Sequence, residues 1–238
     1  MANQWFCFKK FTVRQDRCAM KVGTDAVILG AWTPVEGKFR ALDIGTGTGI
    51  LAMMLAQRSD ALNILALELD TDTAVQATQN IAGSDFYRRI NVLQMDFRNY
   101  YLQPEKEFDL IICNPPYFIN SQRPADEGRS LARHSESLRM KDIFAGSAKL
   151  LQENGHLSMI IPADVIDVTI ESAKVAGLYP ESILNIHPLP GVEPKRVCLL
   201  FSFEEKVPLT ESLVIEYSVR HNYTEEYQEL TREFYLNF

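Results

Sequence analysis

An apolar run, Phe108-Asp109-Leu110-Ile111-Ile112-Cys113, ends at Asn114-Pro115-Pro116-Tyr117. Asn114 carries a carbonyl acceptor and an amide donor on a short arm, and Pro115 adds a main-chain carbonyl but no N–H. Two acceptors brought together at one point suit a planar exocyclic amine, whose two hydrogens point in fixed in-plane directions. Tyr117 is then placed to lie against the attached ring. This is chemistry for an aryl NH2 or a carboxamide NH2. A plain turn is the competing reading, since Asn and Pro are ordinary turn formers, and for an isolated four-residue string it is the better one. Residues upstream change the balance.

Asp43-Ile44-Gly45-Thr46-Gly47-Thr48-Gly49 sets three glycines at alternate positions between a strand pattern and a helix pattern. Loops that seat a dinucleotide pyrophosphate space their glycines G-x-G-x-x-G. Here the spacing is G-x-G-x-G, with an acid two residues before the first glycine. Tight strand-to-helix packing alone also selects glycine. Glu68 ends the next strand pattern, where a carboxylate can accept both hydrogen bonds of a ribose diol; a surface acid is the alternative. Asp96-Phe97 ends the third, with Asp96 placed to bond an adenine amine and Phe97 to line its face, or with Asp96 merely capping a helix. Suitable groups at successive strand ends make coincidence a poor explanation.

Strands are expected at 41–44, 63–69, 90–95, 108–113, 156–161, 182–187 and 197–203, with helices between most of them. The helices cover Ile50 to Arg58, Asp72 to about Ala82, Leu138 to Leu151 and Ala163 to Ala176. Such alternation gives an α/β fold: a mostly parallel seven-stranded sheet with helices on both faces. The 108–113 run has the branching of a strand buried on both sides, and the prolines forbid its continuation. Asn114 is therefore held extended at a carboxyl end, where open α/β sheets place their ligands. The last two strands, joined through Pro188-Leu189-Pro190-Gly191, should pair antiparallel. Residues 1–39 form a small N-terminal extension, with a hairpin between Phe6 to Val13 and Arg17 to Val22 and a short helix capped by Thr24 or Asp25. Residues 40–238 form the core, and the whole 1–238 reads as one domain.

The chain has 238 residues, 46% hydrophobic and 23% charged, with a net charge of -7. No basic region with an apolar segment opens it, and no apolar run reaches membrane-spanning length, so a cytosolic protein without membrane contact is expected. Cys7, Cys18, Cys113 and Cys198 are scattered, with no paired spacing, which predicts free thiols and no metal site. The negative net charge counts against a nucleic-acid partner. Its distribution weakens that objection: residues 1–40 hold seven basic against three acidic residues, while residues 201–238 hold eight glutamates. Arg123, Arg129, Arg133, Arg139 and Lys141 follow the Asn-Pro-Pro-Tyr turn. His134 reads equally as a phosphate or base contact and as a surface histidine.

Taken together, Asp43-Ile44-Gly45-Thr46-Gly47-Thr48-Gly49, Glu68, Asp96-Phe97 and Asn114-Pro115-Pro116-Tyr117 resemble class I S-adenosylmethionine-dependent amino-methyltransferases, over about residues 40 to 203. Phe8-Lys9-Lys10-Phe11 and the stretch from Gln15 to Asp25 are similar to a narrower group, the bacterial enzymes that methylate the exocyclic N6 of adenine-37 in the valine tRNA numbered one. The resemblance implies a Rossmann-like methyltransferase fold, S-adenosylmethionine as cofactor and tRNA as partner, acting as a monomer. It implies a cofactor site of Lys21, Thr24, Asp25, Asp43, Gly45, Gly47, Gly49, Glu68, Asp96 and Phe97, with Lys21, Thr24 and Asp25 closing over the cofactor. It assigns catalysis to Asn114, Pro115 and Tyr117, and substrate contacts to Pro116, Arg133 and His134, with Lys195 and Arg196 as candidates for the tRNA backbone. Three rivals share parts of the pattern: a release-factor-type glutamine methyltransferase or a DNA adenine methyltransferase, a nicotinamide-dependent oxidoreductase, and a non-catalytic nucleic-acid module.

Overall fold

The computed structural model describes residues 3–18, 20–102, 106–115 and 138–238. Its sheet is built outward from β6 (Phe108–Cys113), which pairs in parallel with β3 (Arg40–Ile44) on one side and with β7 (Leu151–Pro162) on the other. β4 (Asn63–Glu68) and β5 (Ile90–Gln94) extend the parallel part beyond β3. Beyond β7 lie β9 (Arg196–Ser202) and β8 (Tyr179–His187), both pairings of β9 being antiparallel, as the short proline-glycine connection requires. The order β10-β8-β9-β7-β6-β3-β4-β5 contains one strand more than the expected seven. That strand, β10 (Leu209–Val214), lies parallel to β8 at the sheet edge. Its four leading residues are exposed and only Leu213 is buried. An edge strand with so little apolar content carries no periodic signal.

From Leu110 on, past a register irregularity after Phe108, side chains of β6 alternate between two cores, which is what burial on both faces means for a period of two. Leu110 and Ile112 enter the core shared with α1 (Thr24–Trp32), α2 (Ile50–Arg58) and α3 (Thr71–Ala82). Phe108, Ile111 and Cys113 enter the other, shared with α4 (Phe97–Tyr100), α5 (Met140–Leu150) and α6 (Ile166–Val175). A last helix, α7 (Glu225–Thr231), is capped by the Thr224 hydroxyl, which accepts from Tyr227 N at 3.2 Å. It buries Tyr227 against Tyr235 and Phe238, and Tyr235 in turn meets Phe8.

The front segment departs from expectation in two ways. Its hairpin pairs β1 (Trp5–Cys7) with β2 (Thr12–Arg14), so the residues from Arg17 to Val22 are free to run elsewhere. Helix α1 is capped by Gly23 in extended conformation; Thr24 and Asp25 lie inside its first turn. Asp25 instead pairs with Arg196 at the start of β9, Nε to Oδ2 2.7 Å. The cysteines are free, as expected. Among the described residues no helix is long and apolar enough to cross a membrane.

Helices α4 and α5 meet at Gly146, where a Cβ would stand 2.5 Å from Phe97 Cζ and 2.7 Å from Tyr101 Cδ1. Both rings are packed against each other, centroids 5.4 Å apart, so neither can swing away freely. Gly146→Ala should therefore destabilise the chain by about 1–3 kcal/mol in urea unfolding, although alanine is the better helix former. An unchanged or raised midpoint would show that the rings yield without cost.

Candidate functional site

Parallel register brings the strand ends level. Ile44 lies opposite both Leu67 of β4 and Cys113 of β6, and Glu68 lies opposite Gln94 of β5. The next residues along each strand, Gly45, Glu68, Asn114 and, two positions past Gln94, Asp96, therefore emerge on one rim. They share a cleft of about 910 Å³ with Gly47, Phe97 and Leu138. Asn114 is half-buried and Pro115 buried at the end of β6. Pro116, Tyr117, Arg133 and His134 lie outside the described residues.

Gly45, Gly47 and Gly49 have φ of 67°, 57° and 83°, the left-handed region that glycine enters at no steric cost. A Cβ at Gly45 or Gly47 would meet nothing within 4 Å, because both border the cleft; one at Gly49 would stand 3.2 Å from Ile81 of α3. Two carboxylates shape this loop. Asp43, fully buried, accepts from the Thr46 hydroxyl at 2.5 Å and from Ala52 N at 3.2 Å through Oδ2. Glu68 accepts from Gly47 N at 2.9 Å with one oxygen and from Asp70 N at 3.0 Å with the other. Each Glu68 oxygen keeps a lone pair for a further donor.

Asp96 caps α4 through Arg98 N at 2.8 Å, and Arg98 folds back to bond both of its oxygens, Nη2 to Oδ2 2.6 Å. The Arg98 guanidinium holds the Asp96 carboxyl below the usual carboxylate range. Its alternative as a helix cap is thus realised, with the carboxylate still on the cleft wall. Phe97 is buried behind it. Cys113 is buried and its thiol is pushed up by desolvation, which leaves it inert packing beside Asn114.

Lys21, Thr24 and Asp25 do not line the cleft; its outer wall is made by Asp16, Arg17, Cys18 and Met20. Arg196, expected at a phosphate, has its guanidinium on Asp25 and on the Lys195 carbonyl. Cys18 is raised to about 11 by burial, so it stands on the wall as a neutral thiol. Sequence reasoning also passed over Gln76 and Asn80, which are 2% and 4% exposed on α3. The available signal was two amides one turn apart on the helix face that also buries Ala77 and Ile81. Asp16, Glu68, Asp70, Asp72 and Asp96 line the cleft against Arg17 alone among cations of the described residues. Five carboxylates with an apolar floor of Ile44, Leu67, Met95 and Phe97 fit a ligand that is cationic at one point and flat and apolar elsewhere. Among the described residues no cluster of His, Cys, Asp or Glu has the makings of a metal site.

A family profile described as the methyltransferase small domain matches residues 22–167. Full-length relatives carry the name tRNA1(Val) (adenine(37)-N6)-methyltransferase. One from Bacteroides thetaiotaomicron is 49% identical, covering 100% of this chain and 99% of its own. One from Parabacteroides distasonis is 43% identical over 99% of both, and one from Trichodesmium erythraeum 39% over 100% of both. Among solved structures, one described as a predicted O-methyltransferase from Agrobacterium tumefaciens aligns with TM-score 0.70 and 21% identity, over 88% of this chain and 96% of that one. TYW2 of P. horikoshii in complex with MeSAdo aligns with TM-score 0.58 and 15% identity, over 84% and 71%. Both are alike in fold, which is the Rossmann-like methyltransferase arrangement.

Burial raises the Asp43 carboxyl to about 7, against the pull of Thr46 and Ala52 toward the charged form. A folded value above the unfolded one means that the contribution to stability is full at low pH and is lost as pH rises toward 7. Asp43→Asn removes this dependence. Its stability relative to the parent should therefore improve by about 2–3 kcal/mol between pH 5 and pH 8, whatever constant offset the amide introduces. Thermal or urea unfolding of both chains across that range checks this; a flat difference would place the Asp43 titration elsewhere.

Proposed function

The chain belongs to the tRNA1(Val) (adenine(37)-N6)-methyltransferases, and from that premise we propose that it methylates the N6 amine of adenine-37 in that tRNA, using S-adenosylmethionine. The observation that carries this is the level rim that sets Asn114-Pro115 beside the glycine loop and Glu68 in one acidic cleft. When bound, S-adenosylmethionine supplies a methyl group activated by a sulfonium charge. Glu68 would hold its ribose, Gly45 and Gly47 would let its amino-acid end approach the backbone, and Phe97 would back its adenine. The cleft acids favour the positive charge. Residues 1–238 would work as one unit, with the front segment forming the outer wall.

An adenine amine is a weak nucleophile because its lone pair is spread into the ring. Asn114 Oδ1 and the Pro115 carbonyl would accept its two hydrogens, which favours a pyramidal nitrogen with its lone pair directed out of the ring plane. No side chain has to remove a proton first; once the nitrogen has become positive its proton passes to solvent water. Near-attack positioning is worth about 7–11 kcal/mol in favourable cases, far above the about 1 kcal/mol of one net hydrogen bond. Tyr117, Pro116, Arg133 and His134 would contact the extruded base and its neighbours, and Lys195 would meet the backbone. Stacking on Tyr117 would offset part of the few kcal/mol of unstacking.

Labelled methyl transfer to transcripts of tRNA1(Val) carrying adenine or guanine at position 37 tests the reading. Incorporation is expected only with adenine, and equal labelling of both would overturn the position. Asn114→Ala should lower turnover about a hundredfold or more while cofactor affinity holds, because misplacement by about 1 Å alone costs that much. Parallel loss of both would remove Asn114 from catalysis. Glu68→Ala should do the reverse, weakening the cofactor by about tenfold in calorimetry, since it frees the Gly47 N–H as well as removing the ribose acceptor.

A further inference from the structure

The cleft's outer wall has no regular secondary structure of its own between Gln15 and Cys18, yet it faces the glycine loop across the ligand space. What fixes it is one face of α3. Gln76 Oε1 accepts from Arg17 N at 3.1 Å, and its Nε2 donates to Asp16 Oδ1 at 2.7 Å. One turn on, Asn80 Oδ1 accepts from Arg14 N at 2.9 Å, while its Nδ2 donates to the carbonyls of Arg14 and Thr48, both at 2.9 Å. Asp16 and Arg17 line the cleft, and Thr48 belongs to the glycine loop. The two amides thus hold both walls to a single helix.

We propose that Gln76 and Asn80 are positioning residues that set the width of the cofactor cleft, and with it the affinity for S-adenosylmethionine. This rests on the reading that the cleft holds that cofactor. Each amide uses its acceptor and its donors at once, so neither can be flipped without setting donor against donor. Both amides are nearly fully buried, where leaving one of their own groups unmatched is costly, although their partners Arg14, Asp16 and Arg17 are exposed. Substituting Gln76 leaves the Arg17 N–H and the Asp16 carboxylate without their partners, and the wall loses its fixed distance from Gly45 and Gly47. Asn114 directly follows β6, whose register is set by β3 and β7 rather than by α3. Cofactor binding should therefore suffer while the methyl-transfer step does not.

The test pairs calorimetry, using S-adenosylhomocysteine as the probe, with steady-state methyl transfer to tRNA. Gln76→Met should raise the Kd for the probe and the KM for S-adenosylmethionine about tenfold, about 1.4 kcal/mol, with kcat at saturation unchanged, because the bonds to Arg17 N and Asp16 are both lost. Gln76→Glu sets two carboxylates against each other and should lose at least as much. Adding Asp16→Asn to Gln76→Glu restores a donor facing an acceptor and should recover most of the affinity relative to Gln76→Glu alone. This rescue decides the matter even if Gln76→Met fails to fold. Parental affinity in Gln76→Met, absence of rescue in the double variant, or a fall in kcat at unchanged affinity would each overturn the proposal. A parent chain that binds neither compound would overturn the assignment of the cleft itself, a result distinct from variants that bind like the parent.

Discussion

The parallel register of β6 between β3 and β7 is the constraint from which the site follows. Burial on both faces leaves β6 no freedom to slip, because a shift by one residue would exchange the sets of side chains assigned to the two cores. The prolines then fix where the strand must stop. With Ile44 opposite Cys113 and Leu67, the ends of three strands are level to within a residue. No loop has to fold back to bring Asn114 beside Gly45; the packing of Leu110, Ile111 and Ile112 does it. Placing the acceptors on rigid strand ends gives the precision that a positioning mechanism demands.

Charge in the molecule is sorted by purpose. Around the rim, Glu68 and the buried Asp43 shape the backbone, Asp96 is paired with Arg98, and away from the cleft Asp25 is paired with Arg196. At the opposite ends of the strands, ion pairs such as Arg40 with Glu107 and Lys106 with Glu153 are half-exposed surface contacts, of small energetic value. An overall charge of -7 is therefore compatible with an RNA substrate.

Much of this was legible in the sequence because it is written in local chemistry. Glycines at Gly45, Gly47 and Gly49 are demanded by three left-handed residues in a row of five, and the apolar run before Asn114 reports burial directly. Contacts between distant segments were not legible. Gln76 and Asn80 bond a segment some sixty residues earlier, and a buried amide on a helix has the same composition whether it faces water or a backbone. The hairpin of residues 5–14 differs from expectation because the partner of β1 follows at once, while Arg17 is held by α3 through its backbone N–H. Strand β10 and helix α7 escaped because so few of their side chains are buried, Leu213 in the strand and Tyr227 and Thr231 in the helix, in otherwise polar stretches of sequence.

The glycine loop is poorly disposed to seat a dinucleotide pyrophosphate. A loop that seats pyrophosphate must present unbonded N–H groups at the start of the following helix. Several donors in and just after the loop are already engaged. Thr46 N bonds the Leu67 carbonyl at 2.8 Å, Gly47 N bonds Glu68, Gly49 N bonds the Thr46 carbonyl at 2.9 Å, and Ala52 N, in the first turn of α2, bonds Asp43. A phosphate approaching this loop would find two carboxylates holding the N–H groups it needs, with Asp70 and Asp72 close behind. The same arrangement suits a ligand that brings hydroxyls and a positive charge, since it needs acceptors where a phosphate needs donors. The spacing G-x-G-x-G thus belongs to a loop that is partly folded onto its own carboxylates, with Gly47 N on Glu68 and Ala52 N on Asp43.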